Sequence, residues 1–149
     1  MKLESEIKQS RFKNEYQKLS VNIIYTSNWL SHHHVRHCKD YGITPEQFNI
    51  LRILRGQHSK PATVNLLIDR MLNKMSNASR LVEKLRKKGL VERQINAADR
   101  RACDVVITAK GLDLLKRLDK AEKEWQKIIS HLSVNEAKTI NNLLDKLRK

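Results

Sequence analysis

The chain has 149 residues, the usual size of one domain, and 40% of them are hydrophobic, which is enough to build a core. It carries 30 lysines and arginines against 16 acidic residues, a net charge of +14, which favours an anionic partner such as nucleic acid. Two cysteines exclude a disulfide framework, and no apolar stretch approaches the roughly 20 residues that cross a bilayer. We therefore expect a reduced, cytoplasmic protein that does not bind membranes.

The N-terminal segment is predicted to form a long helix, because apolar residues recur three and four positions apart along one face. This helix should run to about Cys38 and stop near Tyr41 and Gly42, where glycine can adopt the left-handed conformation. The next helix should begin with Thr44 as its N-cap, and Gln47 completes a capping box. Its body is apolar on most sides, which predicts a helix buried in the core.

The middle of the chain has the order of elements of a winged helix-turn-helix. Two short helices are predicted at about residues 63–71 and 74–88, the second closed by a glycine. Residues 90–95 and 102–108 alternate between apolar and polar side chains and are predicted to be strands, joined by a polar hairpin loop at 96–101. The predicted fold class is therefore mainly α with a small two-stranded β-wing, flanked by N- and C-terminal dimerisation helices.

The basic helix of this unit is predicted to bind DNA. Residues 60–101 carry 11 basic and 4 acidic side chains, half of the net charge in under a third of the chain. On a helical wheel, one face of this helix is apolar and packs on the domain, whereas the opposite face, within an arc of ~100°, carries a hydroxyl, an amide and three cations. The residues of this polar face are Ser76, Asn77, Arg80, Lys84 and Lys87.

Each of these side chains suits a particular DNA contact. Arg80 can bind the two acceptors of guanine, and Asn77 can pair with adenine. Ser76 can meet a phosphate or a base edge, and Lys84 and Lys87 suit phosphates. The alternative is an ordinary amphipathic surface helix with a solvated charged side. The turn before the helix and the hairpin after it favour the DNA-binding interpretation.

The hairpin tip is predicted to reach a DNA minor groove. Arg100 and Arg101 place two guanidinium groups on a protruding loop, and a narrow minor groove attracts arginine. Asp99 is a poor DNA contact itself, and we expect it to pair with an arginine and fix its direction. A solvated turn is the alternative.

Heptad-like stripes in the terminal helices are interpreted as dimer seams. Thr108 should cap a helix that runs to about Leu132, and a last helix should begin at Ser133 with a capping box. Packing within a single chain is the alternative for these stripes. The candidate dimerisation residues are Phe12, Tyr16, Leu19, Leu118, Trp125, Ile128, Leu132, Ile140, Leu144 and Leu147.

The chain resembles the MarR family of bacterial transcription regulators. The similarity lies in residues 80–93, 99–101 and 107–111, and it extends back through 42–48. The resemblance implies a homodimer with intertwined first and last helices, in which Asp99 and Arg101 match the family's Asp-x-Arg wing motif. It also implies one domain over residues 1–149. Its dimerisation helices would lie at about 1–40 and 109–149, and its winged helix-turn-helix at about 44–108.

The resemblance also implies a small aromatic effector, because the family often senses such ligands. In the first helix, His33 and His37 are spaced to chelate a metal, as are His34 and Cys38, but only Asp40 lies nearby to complete a site. The histidines are better explained as the polar end of a helix, where they interact with the last carbonyls. We expect no metal and no cofactor. An oxidant-sensing role for Cys38, or for Cys103 on a predicted strand, is left open.

The sequence therefore predicts a regulator that binds double-stranded DNA with sequence specificity, more in keeping with a repressor than an activator. The alternative is a winged-helix module whose basic face docks an acidic protein. No glycine-rich phosphate loop, nucleophile elbow or H-E-x-x-H pattern occurs, so no catalytic residues are predicted.

Overall fold

A computed structural model of the chain describes residues 2–57, 60–95 and 103–149, except for the side chains of Cys103 and residues 122–125. The described chain is mainly helical with one small antiparallel sheet, which confirms the predicted fold class. The elements in chain order are α1 (Leu3–Glu6), α2 (Glu15–Lys39), α3 (Pro45–Gly56), β1 (Ala62–Thr63), α4 (Val64–Arg70), α5 (Ala78–Lys87), β2 (Val91–Ile95), β3 (Cys103–Ile107), α6 (Ala109–Lys120), α7 (Glu122–Ile129) and α8 (Val134–Leu147).

Two compact units make up the chain, Met1–Pro45 and Glu46–Lys149. In the first unit, α2 is the predicted long helix, and the side chain of Asn14 caps it by accepting a hydrogen bond from the Gln17 amide at 2.9 Å. Beyond its C-terminal end, Gly42 has a φ of 69°, the left-handed conformation predicted from the sequence.

The one-turn helix α1 was not predicted, because four residues are too short to show a periodicity. It is held to α2 by two side-chain contacts. Glu4 forms a salt bridge with Lys18 at 2.5 Å, and the Tyr25 hydroxyl donates a hydrogen bond to Glu6 at 2.7 Å. These contacts tie the N-terminal segment to the long helix within the first unit.

The second unit is built around the apolar helix α3, as predicted. Arg55 of α3 forms a two-pronged salt bridge with Asp119 of α6, with contacts of 2.5 and 3.2 Å. The side chains that form this core come from α3, α4, α5 and α6, and each is at most 2% exposed. They include Ile50, Leu51, Leu54, Leu67, Val82, Leu85, Leu115 and Leu118.

The sheet has three strands in the order β1-β3-β2, all antiparallel. The predicted hairpin pairs β2 with β3, with Val91 opposite Ile107 and Ile95 opposite Cys103. Strand β1 adds a third strand by pairing Ala62 with Val105. Its two residues are too few for an alternating pattern, so the sequence predicted only two strands.

The C-terminal part contains one helix more than the sequence predicted. The Thr108 side chain caps α6, as expected, but the helix ends in a turn at Ala121 before α7 begins. No Pro or Gly marks this break in the sequence. The predicted capping box of Ser133 and Glu136 is confirmed at the start of α8.

Across residues 2–57, 60–95 and 103–149, no helix combines the length and the apolar character that crossing a membrane requires.

Candidate nucleic-acid interface

Helices α4 and α5 are joined by a turn, residues 71–77, that is fixed by hydrogen bonds. The Leu72 amide donates to the Asn49 side chain of α3 at 2.9 Å. The Met75 amide donates to the Asn73 side chain at 3.0 Å, which closes a local turn within the connection. These bonds fix the conformation of the turn that leads into α5.

The prediction that α5 begins near Lys74 is wrong, because the helix begins four residues later. The Lys74 ammonium group donates to the Asp69 carbonyl and, at 3.2 Å, to the Ile68 carbonyl, so it closes the end of α4. Asn77 is the N-cap of α5, and its side-chain oxygen accepts from the Arg80 amide at 2.9 Å. Asparagine is among the preferred N-caps because its short side chain satisfies a free amide of the first turn.

This helix start changes the roles available to Ser76 and Asn77. Both residues precede the helix, so the helical wheel does not place them. A two-bonded contact of Asn77 with adenine needs both the oxygen and the nitrogen of its side chain. The oxygen already accepts the hydrogen bond that caps α5, so a contact with adenine would have to use the second lone pair of that oxygen.

Within α5 itself, the predicted division into two faces holds. Ala78, Val82 and Leu85 are buried against the core at 2% exposure or less. Arg80 and Lys84 are exposed, as is Lys87. Within the part of the chain that the structure describes, the side chains of these three cations form no hydrogen bond or salt bridge. The helix therefore presents cations that are available to an external anion.

The only acidic residue on α5 is neutralised within the protein. Arg86 donates two hydrogen bonds to the Glu83 carboxylate, at 2.9 and 3.0 Å, and Arg93 of β2 lies 4.0 Å from it. The hydrogen bond from Arg86 lowers the pKa of Glu83, and the positive charges of Arg86, Lys87 and Arg93 act in the same direction. The Glu83 carboxylate is therefore ionised at neutral pH, and its charge is balanced by Arg86.

The C-terminal end of α5 is fastened to the start of α6. Gly89 follows the helix with a φ of 70°, which confirms the predicted closure by glycine. The Thr108 hydroxyl donates to the Gly89 carbonyl at 2.8 Å, and the Lys110 ammonium donates to the Lys88 carbonyl at 2.9 Å. The C-terminal end of α5 is thus held by two side chains at the start of α6.

The predicted wing residues Asp99, Arg100 and Arg101 lie outside the described residues. The strands on either side of them, β2 and β3, are described and paired over their whole length.

The candidate dimerisation residues differ in exposure. Leu118 is 2% exposed, which fits the alternative of packing within one chain. The Trp125 side chain lies outside the described part. Phe12, Ile128 and Leu144 are half-buried. The remaining candidates are exposed, namely Tyr16 (82%), Leu19 (44%), Leu132 (44%), Ile140 (41%) and Leu147 (55%).

Further exposed apolar side chains accompany these candidates. The sequence did not single them out, because they lie beside the stripes rather than on them. They are Ile24, Trp29 and Val35 on α2, Ile129 on α7, and Leu143 on α8.

The histidines of α2 are engaged with aromatic neighbours. The rings of Trp29 and His33 meet edge to face with centroids 4.8 Å apart, and the ring centroids of His37 and Tyr41 are 5.9 Å apart. Cys38 is fully buried. Among the described residues, no three His, Cys, Asp or Glu side chains are grouped so that they could hold a metal ion.

The three-stranded sheet, the hydrogen-bonded turn and the exposed cations of α5 define a winged helix-turn-helix fold. Residues 41–102 match the model of the MarR family. Over 73 residues the chain is 36% identical to the HTH-type transcriptional regulator BilQ of Clostridium symbiosum, which covers 48% of this chain and 51% of BilQ. The chain spans about half the length of the curated relatives it matches.

Solved structures show the same fold. A mutant of MarR from E. coli in complex with operator DNA superposes with a TM-score of 0.81 at 24% identity, covering 93% of this chain and 99% of MarR. The organohalide-sensing regulator RdhR, bound to 2,4-dichlorophenol, gives a TM-score of 0.81 at 19% identity, covering 94% of this chain and 85% of RdhR. At these identities the likeness establishes the fold.

Proposed function

We propose that the chain is a transcription regulator that binds double-stranded DNA with sequence specificity through α5. The observation that carries this proposal is the exposed row of Arg80, Lys84 and Lys87, whose side chains have no hydrogen-bonded or ion-paired partner among the described residues. A major groove admits one helix, and the buried face of α5 leaves the cationic face directed outwards. The operator-bound MarR structure, which shares this fold, supports the assignment.

The contacts divide into base reading and positioning. Arg80, in the first turn of α5, is the candidate for the two acceptors of guanine. Lys84 and Lys87 are candidates for phosphates, and Ser76 for a phosphate or base edge just before the helix. We further propose that Arg100 and Arg101 enter the adjacent minor groove, with Asp99 orienting an arginine.

We infer a homodimer that binds pseudo-palindromic sites. The family resemblance implies this assembly, and apolar side chains exposed on α2 and α8 support it. Each α5 would then meet one half-site, with half-sites about one helical turn, ~34 Å, apart.

We also propose that the protein represses transcription in the cytoplasm and releases DNA when a small aromatic ligand binds. The family resemblance and the dichlorophenol-bound RdhR structure support this choice of ligand class. Titrating 2,4-dichlorophenol into the protein–DNA complex tests the proposal. Fluorescence anisotropy of labelled DNA should fall with a saturable dose, whereas cyclohexanol, which lacks the aromatic ring, should have no effect.

The decisive experiment for DNA binding is a selection of bound duplexes from a random pool. A recurrent two-fold symmetric site should emerge, and its affinity should fall steeply with salt, with log K linear in log salt concentration. Binding of all duplexes alike, or capture of an acidic protein with no duplex selected, would support the docking alternative instead.

A further inference from the structure

The turn before α5 exposes two large apolar side chains. Met75 is 93% exposed and Leu72 is 85% exposed. These are the highest values among the large hydrophobic residues in the described part of the chain. Single exposed hydrophobics are common on protein surfaces, but two within one seven-residue turn beside a cationic helix call for a physical explanation.

Hydrogen bonds fix the turn that carries these side chains. The amides of Leu72 and Met75 are bound by the side chains of Asn49 and Asn73. The Ser76 amide donates to the Asn73 carbonyl at 3.3 Å. The backbone at both apolar residues is therefore fixed by hydrogen bonds, and their side chains are exposed from this fixed turn.

Met75 lies two residues before Asn77, the N-cap of α5. In a helix-turn-helix, residues at the N-terminal end of the second helix are the ones that meet base edges in the major groove. Most groups presented by the groove floor are hydrogen-bond donors and acceptors, and the apolar exception is the 5-methyl group of thymine. A methionine side chain is long, unbranched and polarisable, so it can adapt its shape to such a methyl group.

We propose that Met75 reads the 5-methyl group of a thymine in each half-site, with Leu72 shielding the contact from water. This inference rests on the proposed function, because it requires α5 to lie in the major groove. The cations that follow Met75 on α5 hold the anionic DNA close, so the occupant of this apolar patch is DNA rather than a second protein. The contact gives the protein a preference for thymine at a position that Arg80 does not read.

The test uses the selected duplex and replaces each thymine of one half-site in turn by deoxyuridine, which removes only the methyl group. The wild-type chain should lose roughly four-fold in affinity at one or two positions, the value of one buried methyl group. Met75→Ala removes the contact in both half-sites at once, so it should lose roughly 16-fold on the unmodified duplex and become insensitive to uracil at those same positions. Val134→Ala, which trims a residue that is 72% exposed on α8, is the matched control and should behave as wild type.

The two proposals fail in different ways. If the wild-type chain selects no duplex, the proposed function itself fails. If it selects a site but no uracil position couples to Met75, the methyl contact is refuted while DNA binding stands. Equal losses of Met75→Ala on all duplexes would make the residue a general backbone contact and also refute the proposal. The proposal would also be refuted if Met75→Ala bound DNA as wild type does but lost binding to a protein partner.

Discussion

Arg80 is the residue on which sequence reading by α5 depends most. It lies in the first turn of the helix, is exposed, and its side chain has no hydrogen-bonded or ion-paired partner within the described chain. Arg80→Ala should weaken binding to the selected site by ~1–3 kcal/mol and relax the preference at one base pair per half-site. Binding titrations on the selected duplex and its single-base variants measure both effects.

The matched control for Arg80 is Arg148→Ala, which removes the same charge from the end of α8. It should change affinity by much less, and equally on all duplexes. If Arg80→Ala and Arg148→Ala had the same small effect, α5 would not be the reading element.

Gly111 shows how a single hydrogen atom can be required by the fold. A Cβ at this position would lie 2.4 Å from the Leu90 carbonyl oxygen and 2.7 Å from the Ile107 side chain. The carbonyl cannot retreat freely, because it accepts a hydrogen bond from the Thr108 amide at 3.1 Å. Gly111→Ala should therefore destabilise the protein by ~1–3 kcal/mol, as overpacking does. Urea unfolding measures this loss.

Gly56 provides the control for this substitution. It also lies in a helix, but a Cβ there would meet nothing within 4 Å. Gly56→Ala should leave stability unchanged or raise it, because alanine restricts the unfolded chain and favours helix. Similar losses for both variants would show that close approach at Gly111 is not the cause.

At the scale of elements, Glu83 connects α5 to strand β2 through Arg86 and Arg93. Its pKa lies below the ordinary value of 4.5, chiefly because of the hydrogen bonds from Arg86. A carboxyl group whose pKa is lowered in the folded state stabilises the fold above its unfolded pKa, and this contribution is lost as the pH falls through the folded pKa. The stability advantage of wild type over Glu83→Gln should therefore be full at neutral pH and shrink below about pH 4.

Urea unfolding at several pH values measures this advantage. Glu92→Gln is a suitable control, because the Glu92 side chain is exposed on β2 and forms no hydrogen bond or salt bridge within the described residues. A pH-independent difference between wild type and Glu83→Gln would contradict the coupling of α5 to β2 through an ionised carboxylate.

The wing is the second element expected to touch DNA. Arg101→Ala should lose affinity mainly on duplexes whose selected site is flanked by A·T-rich sequence, because a narrow minor groove concentrates negative potential. Arg101→Lys should restore only part of the loss, since an ammonium group is more strongly hydrated than guanidinium. Titrations on duplexes that differ only in their flanks measure the effect. Equal losses on every flank would leave the wing a general phosphate contact.

Local capping and closing signals were the features best predicted from the sequence. Thr108 and Ser133 cap α6 and α8, and Gly89 ends α5, because each residue acts on the backbone within one turn of itself. The start of α5 was mispredicted because it depends on a competition between elements. The Lys74 side chain reaches back to α4, which leaves Asn77 to begin the next helix.

In the candidate site, too, features set by the local sequence were predictable, whereas features that depend on contacts between elements were not. The cationic face of α5 was predictable, because burial of Ala78, Val82 and Leu85 follows from periodicity. The exposure of Met75 was not, because it depends on where the helix begins and on side chains of Asn49 and Asn73. Periodicity also could not separate Leu118, buried in its own chain, from exposed members of the same stripe such as Leu132.

At the scale of the whole molecule, a single chain leaves apolar faces on both of its compact units. In the first unit, Tyr16 is 82% exposed and Ile24 is 62% exposed on α2. In the second unit, α8 has no buried residue, although Leu143 and Leu147 are 60% and 55% exposed. Burying apolar area contributes ~25 cal/mol per Å², so faces of this kind favour association with a second copy.

The assembly can be tested at Ile140, which lies on the apolar stripe of α8 and is 41% exposed. Ile140→Glu should place a charge in the proposed dimer seam and convert the dimer to monomers, since an unpaired buried charge is strongly unfavourable. Asn142→Glu adds the same charge on the opposite side of the helix, ~200° away, at an exposed position and should remain a dimer. Light scattering at micromolar concentration measures the mass of each variant, and circular dichroism checks that Ile140→Glu is folded.

A folded monomer of Ile140→Glu should also have a much lower affinity for the selected duplex than the wild-type dimer. The loss should exceed that caused by altering one half-site, because in a dimer the binding of one half raises the effective concentration of the other half at its half-site. A monomeric wild-type chain, or a dimeric Ile140→Glu, would refute this seam.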